Sequence, residues 1–297
     1  MNLTTNAAGL KLRNPTILAA GILGSTAASL KRVIRGGAGA VVTKSIGVVP
    51  REGHPGPVMI KTEHGFLNAI GLANPSYHEF IHELKKAKGE VPVIASIFGS
   101  NAEEFREVAL GLSEADPDAF ELNVSCPHAE GYGISLGRDP KAVENITRAV
   151  KKAVDVPVWV KLAPLADVIE TGLAAQSGGA EAIVAINTIP AMAIDIESCF
   201  PVLGNISGGL SGAAIKPVAL KCVYDLYDAL DIDIIGVGGI SSWRDAIEFI
   251  MAGASAIEIG SAVYDDIEVF RHISDGISRY LQKNECSLED IHGVAVR

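Results

Sequence analysis

Cysteine, aromatic residues and basic charge are all sparse in this 297-residue chain, which has four cysteines, two tryptophans and 5% aromatic residues. Cys126, Cys199, Cys222 and Cys286 lie far apart and form no C-x-x-C pair, so local spacing builds neither a zinc site nor an iron–sulfur cluster. No metal site is expected here, and any metal centre belongs on another chain. Lys and Arg total 25 against 35 Asp and Glu, and the net charge of −10 works against a nucleic-acid backbone or an anionic membrane surface as partner. No apolar run approaches the roughly 20 residues that span a bilayer. The opening "MNLTTNAAGLKLRNP" lacks the basic and apolar regions of a signal peptide. A cytoplasmic location is expected, with no nucleic-acid or membrane partner. No long tract is polar enough for disorder, since 48% of residues are apolar and 20% charged.

What is present is a regular beat of β-rich runs and amphipathic helical patterns. The strand candidates are "TILAAG", "AVVTKSIG", "VPVIASIFG", "AFELNVSC", "VPVWVKLAP", "EAIVAINTI", "IDIIGVGGI" and "SAIEIGSAV". Each is followed by a helical stretch, from "AASLKRVIRGG" to "EVFRHISDGISRYLQKN". Near-continuous apolar strands suit a sheet buried on both faces, and the helices supply the crossovers that parallel pairing requires. Eight such units predict a (β/α)8 TIM barrel, residues 1–297 forming a single domain, with "LTTNAAGLKLRNP" as a small N-terminal β-hairpin at the barrel bottom. Two connections, from Val48 to about Tyr77 and from Pro190 to Pro217, are long. Both follow strands, so both are expected to cover the C-terminal face, where barrel active sites form.

Polar residues cluster at the strand ends. Lys44 ends the second strand, Asn123 and Cys126 the fourth, Lys161 the fifth, and Asn187 with Thr188 the sixth. An ammonium in an apolar strand is costly without an anion or strong acceptors. A single lysine is explained by a side chain snorkelling to the rim. Two on one rim, with Asn123, Asn187 and Thr188, are better explained by a carboxylate or a bound anionic ligand. The last two strands end in "GVGGISS" and "EIGSAV", where Gly238, Gly239, Gly260 and Ser261 offer backbone N–H groups in the usual place for a phosphate. An ordinary tight turn is the plainer account of either glycine end alone. "GGLSGAAIKP" adds a third glycine-rich stretch.

Free cysteine is most often a core residue. Cys126, however, ends a strand, Pro127 forces a turn, and Gly131, Gly133 and Gly137 follow in a loop suited to move as a lid. That placement suits a base or nucleophile, provided a neighbouring lysine or donor lowers the thiol's ordinary value near 8.5. His128 is a possible substrate contact. Trp159 and Trp243 are expected to pack between barrel and helices.

The stretches "VVTKSIG", "FLNAIGLANP", "ELNVSCP", "WVKLAP", "INTIPAMAID", "GGLSGAAIKPVAL", "GVGGISSWRDAIEFIMAGA" and "EIGSA" resemble the class 1 dihydroorotate dehydrogenases, and the resemblance runs from "GLKLRNP" to about "VYDDIEVF". "NAIGL" and "MAID" are most similar to the NAD-linked class 1B branch. The resemblance implies an FMN-dependent barrel of pyrimidine biosynthesis that oxidises dihydroorotate to orotate. Cys126 would remove the proton at C5 while hydride passes from C6 to N5 of the flavin. It further implies a partner subunit carrying FAD and an iron–sulfur (2Fe–2S) cluster in a heterotetramer built on a homodimer core.

By the same resemblance, Lys44 would sit between substrate and flavin, and Asn68, Ala69, Ile70, Gly71, Leu72, Asn123, Asn187 and Thr188 would hold the pyrimidine and its carboxylate. Lys161 would lie by the flavin N1 and C2 carbonyl. Ala20, Gly21, Ser45, Ser96, Asn123, Ile186 and Gly212 would contact the flavin, and Gly238, Gly239, Gly260 and Ser261 its phosphate. Ser96 and His128 stand where the family usually has Asn, Ala20 where Ser is common and Ala191 where Gly is common. The alternatives are a related FMN-dependent pyrimidine reductase and a flavin-free phosphate-binding barrel lyase or isomerase. A dihydrouridine synthase is disfavoured by the acidic charge.

Overall fold

The structure is a computed structural model that describes residues 3–125, 136–164 and 167–297. It opens with the antiparallel hairpin of β1 (Thr5–Ala7) and β2 (Leu10–Leu12), followed by β3 (Thr16–Leu18), α1 (Ala27–Arg35) and β4 (Ala40–Val42). Next come β5 (Met59–Thr62), β6 (Gly65–Asn68), α2 (Tyr77–Ala87), β7 (Val93–Ile97), α3 (Ala102–Ser113) and β8 (Ala119–Asn123). The middle of the chain forms α4 (Pro140–Lys151), β9 (Val158–Leu162), α5 (Val168–Gly178), β10 (Ala182–Ala185), β11 (Ile189–Ala191), β12 (Ile194–Asp195), β13 (Phe200–Pro201) and β14 (Gly208–Ser211). The last part forms α6 (Lys216–Ala229), β15 (Asp233–Val237), α7 (Trp243–Met251), β16 (Ala254–Ile259), α8 (Val269–Asn284) and α9 (Leu288–Ile291).

Strands β3, β4, β7, β8, β9, β10, β15 and β16 close into a parallel barrel. Each was expected from the alternation of the sequence, and each is followed by its helix. The pleat divides their side chains into two sets. Val93, Ala95 and Ile97 of β7, Phe120 and Leu122 of β8, and Val158 and Val160 of β9 join the layer under the helices. The alternate residues Ala40, Ile94, Ala119, Trp159, Ala182 and Ala256 form a second cluster inside the barrel.

The hairpin plugs that interior from below. Ala7, Ala8, Leu10 and Leu12 belong to the inner cluster, so the small side chains of the lowest barrel layer leave room that the hairpin fills. Trp159 departs from expectation: it is fully buried inside the barrel, and its Nε1 donates to Ala8 O at 3.0 Å. A large indole can sit there because alanines surround it and the hairpin supplies its acceptor. Trp243 packs between helices, its ring 6.0 Å from that of Tyr280 on α8.

The two long connections are not irregular. They pair with each other into an antiparallel sheet of order β11–β14–β6–β5, with Leu210 opposite Leu67 and Leu67 opposite Ile60. Leu67, Ala69 and Leu203 are buried beneath it. These strands are short, and β6 pairs with β14 across 145 residues at the Phe66–Ser211 contact, so no local periodicity announces them.

Candidate active site

One pocket opens where the barrel strands end, roofed by the β11–β14–β6–β5 sheet. Its lining comes from segments far apart in the chain. Ala20 and Gly21 follow β3, and Lys44 and Ser45 follow β4. Asn68, Ile70, Gly71 and Leu72 come from the end of β6 and the turn after it, and Asn123 ends β8. Lys161 lies on β9, while Ile186, Asn187 and Thr188 follow β10. Gly212, Gly238, Gly239, Gly260 and Ser261 complete one side.

Two expected residues do not line it. Ser96 on β7 is fully buried behind Ser45, because its short side chain ends at the Ser45 hydroxyl instead of passing it. Ala69 turns away into the cluster with Leu67 and Leu203, as the strand pleat requires of a neighbour of Asn68. Cys126 and His128, with the glycines Gly131 and Gly133, lie outside the described residues.

The glycine side of the pocket has a backbone reason. Gly239 has φ +74°, and a Cβ there would stand 2.8 Å from Gly212 O and 2.8 Å from Lys216 Cβ. Gly21 has φ +88° and faces open space. A side chain at the first would force the loops apart, so backbone N–H groups can line a cavity there.

Beneath the pocket, Lys161 Nζ donates to Glu258 Oε2 at 2.5 Å and to Glu121 Oε2 at 3.5 Å. The three side chains are 6%, 0% and 0% exposed, and among the described residues they are the buried charged groups. Burial alone would push the Lys161 ammonium down, but the two carboxylates outweigh it and hold it above its ordinary value. Burial, then repulsion from Glu121, drives Glu258 well above the usual carboxylate range against the opposing pull of Lys161. The demand for an anion around Lys161 is thus met inside the barrel. Neither carboxylate was singled out in the sequence, although the signal was available: Glu121 in "AFELN" and Glu258 in "AIEIG" are charges inside apolar strands, as Lys161 is.

A directed chain of hydrogen bonds climbs from this triad. Ser96 Oγ donates to Glu121 Oε1 at 3.2 Å, Ser45 Oγ lies 2.9 Å from Ser96 Oγ, and Asn123 Nδ2 donates to Ser45 Oγ at 3.0 Å. Above it, Ser125 Oγ donates to Asn123 Oδ1 at 3.1 Å, and Asn187 Nδ2 donates to Ser125 Oγ at 2.8 Å. Ser125, the residue before Cys126, is therefore pinned between two pocket asparagines.

A convergent set of amides, hydroxyls and lysines beside a glycine-lined backbone suits a small, planar, anionic substrate next to a phosphorylated cofactor. The family model described as dihydroorotate dehydrogenase matches residues 2–281. A protein of Methanocella arvoryzae named dihydroorotate dehydrogenase B (NAD(+)), catalytic subunit, is 63% identical, with 100% of this chain and 99% of that protein covered. A protein of the same name from Pyrococcus abyssi is 49% identical over 99% of both chains. The crystal structure of DHODH from Eimeria tenella in complex with ferulenol superimposes with a TM-score of 0.86 at 23% identity, covering 99% of this chain and 88% of that one, a likeness of fold. With barrel, pocket and sequence in agreement, the chain belongs to the dihydroorotate dehydrogenase family, in its class 1B branch.

Proposed function

We propose that this chain is an FMN-dependent catalytic subunit that oxidises (S)-dihydroorotate to orotate in de novo pyrimidine biosynthesis. The observation that carries this reading is the convergence of Lys44, Asn68, Asn123, Asn187 and Thr188 on the same pocket as the glycine side and Lys161, in a chain of this family. The residues fit FMN. Gly21 faces open space, Gly239 occupies a cradle that a Cβ would fill, and Gly238, Gly260 and Ser261 border the same side for its phosphate.

FMN, when bound, supplies the two-electron acceptor for the hydride that leaves C6. The chain's own residues bind, orient and take the proton. Lys44 and the three asparagines hold the dihydroorotate carboxylate and its ring amides, an arrangement in which each polar group of the ring meets a fixed partner. Asn123 and Asn187 are pre-set by Ser45 and Ser125, so they enter the complex without losing much side-chain freedom. Cys126, following the pinned Ser125, takes the C5 proton. Its thiol needs a nearby cation to act as a base at neutral pH, and Lys44 is the lysine of this pocket that fits the part. Lys161 would help hold the flavin, its positive charge favouring the added electron density.

Electrons then leave through a partner. The naming of the relatives as catalytic subunits supports an electron-transfer subunit, and the scattered cysteines favour FAD and a 2Fe–2S cluster on that partner, in a heterotetramer around a homodimer core. Among the described residues no helix is long and apolar enough to cross a membrane, and a cytoplasmic site of action accords with that. Mixing the purified yellow protein with dihydroorotate without oxygen should bleach the flavin bands and yield one orotate per flavin. A flavin that stays oxidised, or a colourless chain that takes up no FMN, would overturn the proposal.

A further inference from the structure

Two carboxylates converge on one ammonium in the barrel interior, where Glu258 and Glu121 approach Lys161 at 2.5 and 3.5 Å. Fully ionised, the three would leave one surplus negative charge on side chains that are almost wholly buried. An uncompensated buried charge costs several kcal/mol. The outer oxygens of the two carboxylates differ in a way that shows how the surplus is removed. Glu121 Oε1 accepts a hydrogen bond from Ser96 Oγ, whereas Glu258 Oε1 is buried with no donor at all. A carboxylate oxygen buried without a donor leaves part of its charge unsolvated, so Glu258 is the carboxylate whose ionisation costs more.

We propose that Glu258 carries a proton while Glu121 stays ionised, so that the Glu121–Lys161–Glu258 triad is neutral and forms an uncharged floor for the pocket. The strong upward displacement of Glu258, caused by burial and then by Glu121, accords with this. Glu258 and Lys161 both line the pocket, so the charge of the triad is felt by whatever binds above. Resting on the flavin reading, Glu258 becomes a positioning residue. It anchors the Lys161 ammonium without contributing a negative charge that would oppose electron density in the reduced ring. Ser96 completes the device by donating to Glu121 and not to Glu258, which decides the carboxylate that stays charged.

Glutamine mimics a neutral carboxyl group in shape, which makes the test charge-specific. In the wild-type chain with 13C-labelled glutamate, infrared spectra at neutral pH should contain a protonated carboxylic-acid band. The band should vanish in Glu258→Gln, and also in Glu121→Gln, where Glu258 ionises as the remaining partner of Lys161. This is measured on the chain both stripped of FMN and loaded with it, so its result is independent of catalysis and of the flavin reading. In the loaded protein, either single variant should change the equilibrium between oxidised and reduced flavin less than twofold, because the triad stays neutral. The double variant should favour the reduced form about tenfold or more, about 30 mV for a two-electron couple. No acid band in the wild type, or a tenfold change already in each single variant, would show both carboxylates ionised and overturn the proposal. If the double variant does not fold, the infrared bands of the single variants decide.

Discussion

Asn123 Nδ2 donates to Ser45 Oγ at 3.0 Å, tying the end of β8 to the segment after β4 across 78 residues of sequence. Ser45 in turn meets Ser96 at 2.9 Å, and Ser96 donates to Glu121, so a pocket asparagine and a buried carboxylate share one line of hydrogen bonds. Ser45→Ala leaves the Asn123 amide and the Ser96 hydroxyl each short of a partner. The expected cost is about 1–3 kcal/mol in urea unfolding, because the buried polar groups stay desolvated with no hydrogen bond to offset it. The KM for dihydroorotate should rise as Asn123 loosens, with FMN still bound. Unchanged stability and KM would mean that Asn123 is held by other contacts.

Lys161→Met leaves Glu121 and Glu258 buried without their cation. Breaking such an arrangement costs about 3–5 kcal/mol. Glu258, already held well above the usual carboxylate range by burial and by Glu121, loses the cation that opposed that shift, so its folded-state value rises further above the unfolded one. A raised carboxyl contributes stability below the unfolded value that is lost as pH rises through the folded value. The deficit relative to wild type should therefore grow as pH rises through the wild-type folded value of Glu258, well above the usual carboxylate range, in denaturant titrations. A deficit independent of pH would rule out this account.

Gly239→Ala places a methyl group 2.8 Å from Gly212 O at a backbone φ of +74°. Left-handed backbone costs a non-glycine residue about 1–2 kcal/mol, and the loops must also part. The FMN dissociation constant, read from flavin fluorescence on titration, should rise about tenfold or more. Wild-type affinity would mean that the phosphate sits elsewhere.

Cys126→Ala should abolish turnover and leave FMN bound. Cys126→Ser should slow flavin reduction, with recovery at high pH, since a hydroxyl is a far weaker acid than a thiol and ionises only as the medium becomes more basic. Stopped-flow reduction without oxygen separates the two. Full-speed reduction in the alanine variant would assign the proton to another group.

Asp245 closes the capping box of α7 with Ser242 and accepts from Lys216 Nζ at 2.8 Å. Burial pushes its carboxyl up, but the hydrogen bonds from Lys216, Ser242 and Ser241 outweigh that and hold it below the ordinary value. A depressed carboxyl stabilises above the unfolded value near 3.9, and that contribution disappears as pH falls through the folded value. Asp245→Asn should lower stability at neutral pH by about 1 kcal/mol and flatten the loss of stability on acidification. Parallel acid limbs in the two proteins would contradict this.

The sequence by itself determined the eight strand–helix units, the hairpin and the strand-end positions of Lys44, Asn123, Lys161, Asn187 and Thr188. Period, glycine stops and misplaced charges are carried by neighbouring residues, so they can be seen without the fold. Glu121 and Glu258 stand in apolar strands as plainly as Lys161 does. Only the tertiary structure decided which groups meet. Lys161 and Glu258 are 97 residues apart, and closure of the barrel alone brings them within a hydrogen bond. Barrel closure likewise turned Trp159 inward onto the hairpin and placed Ser96 behind Ser45. The sheet that roofs the pocket exists because β6 and β14 satisfy each other's backbone groups, and a strand of four residues with no apolar alternation has no reason to be a strand until its partner arrives.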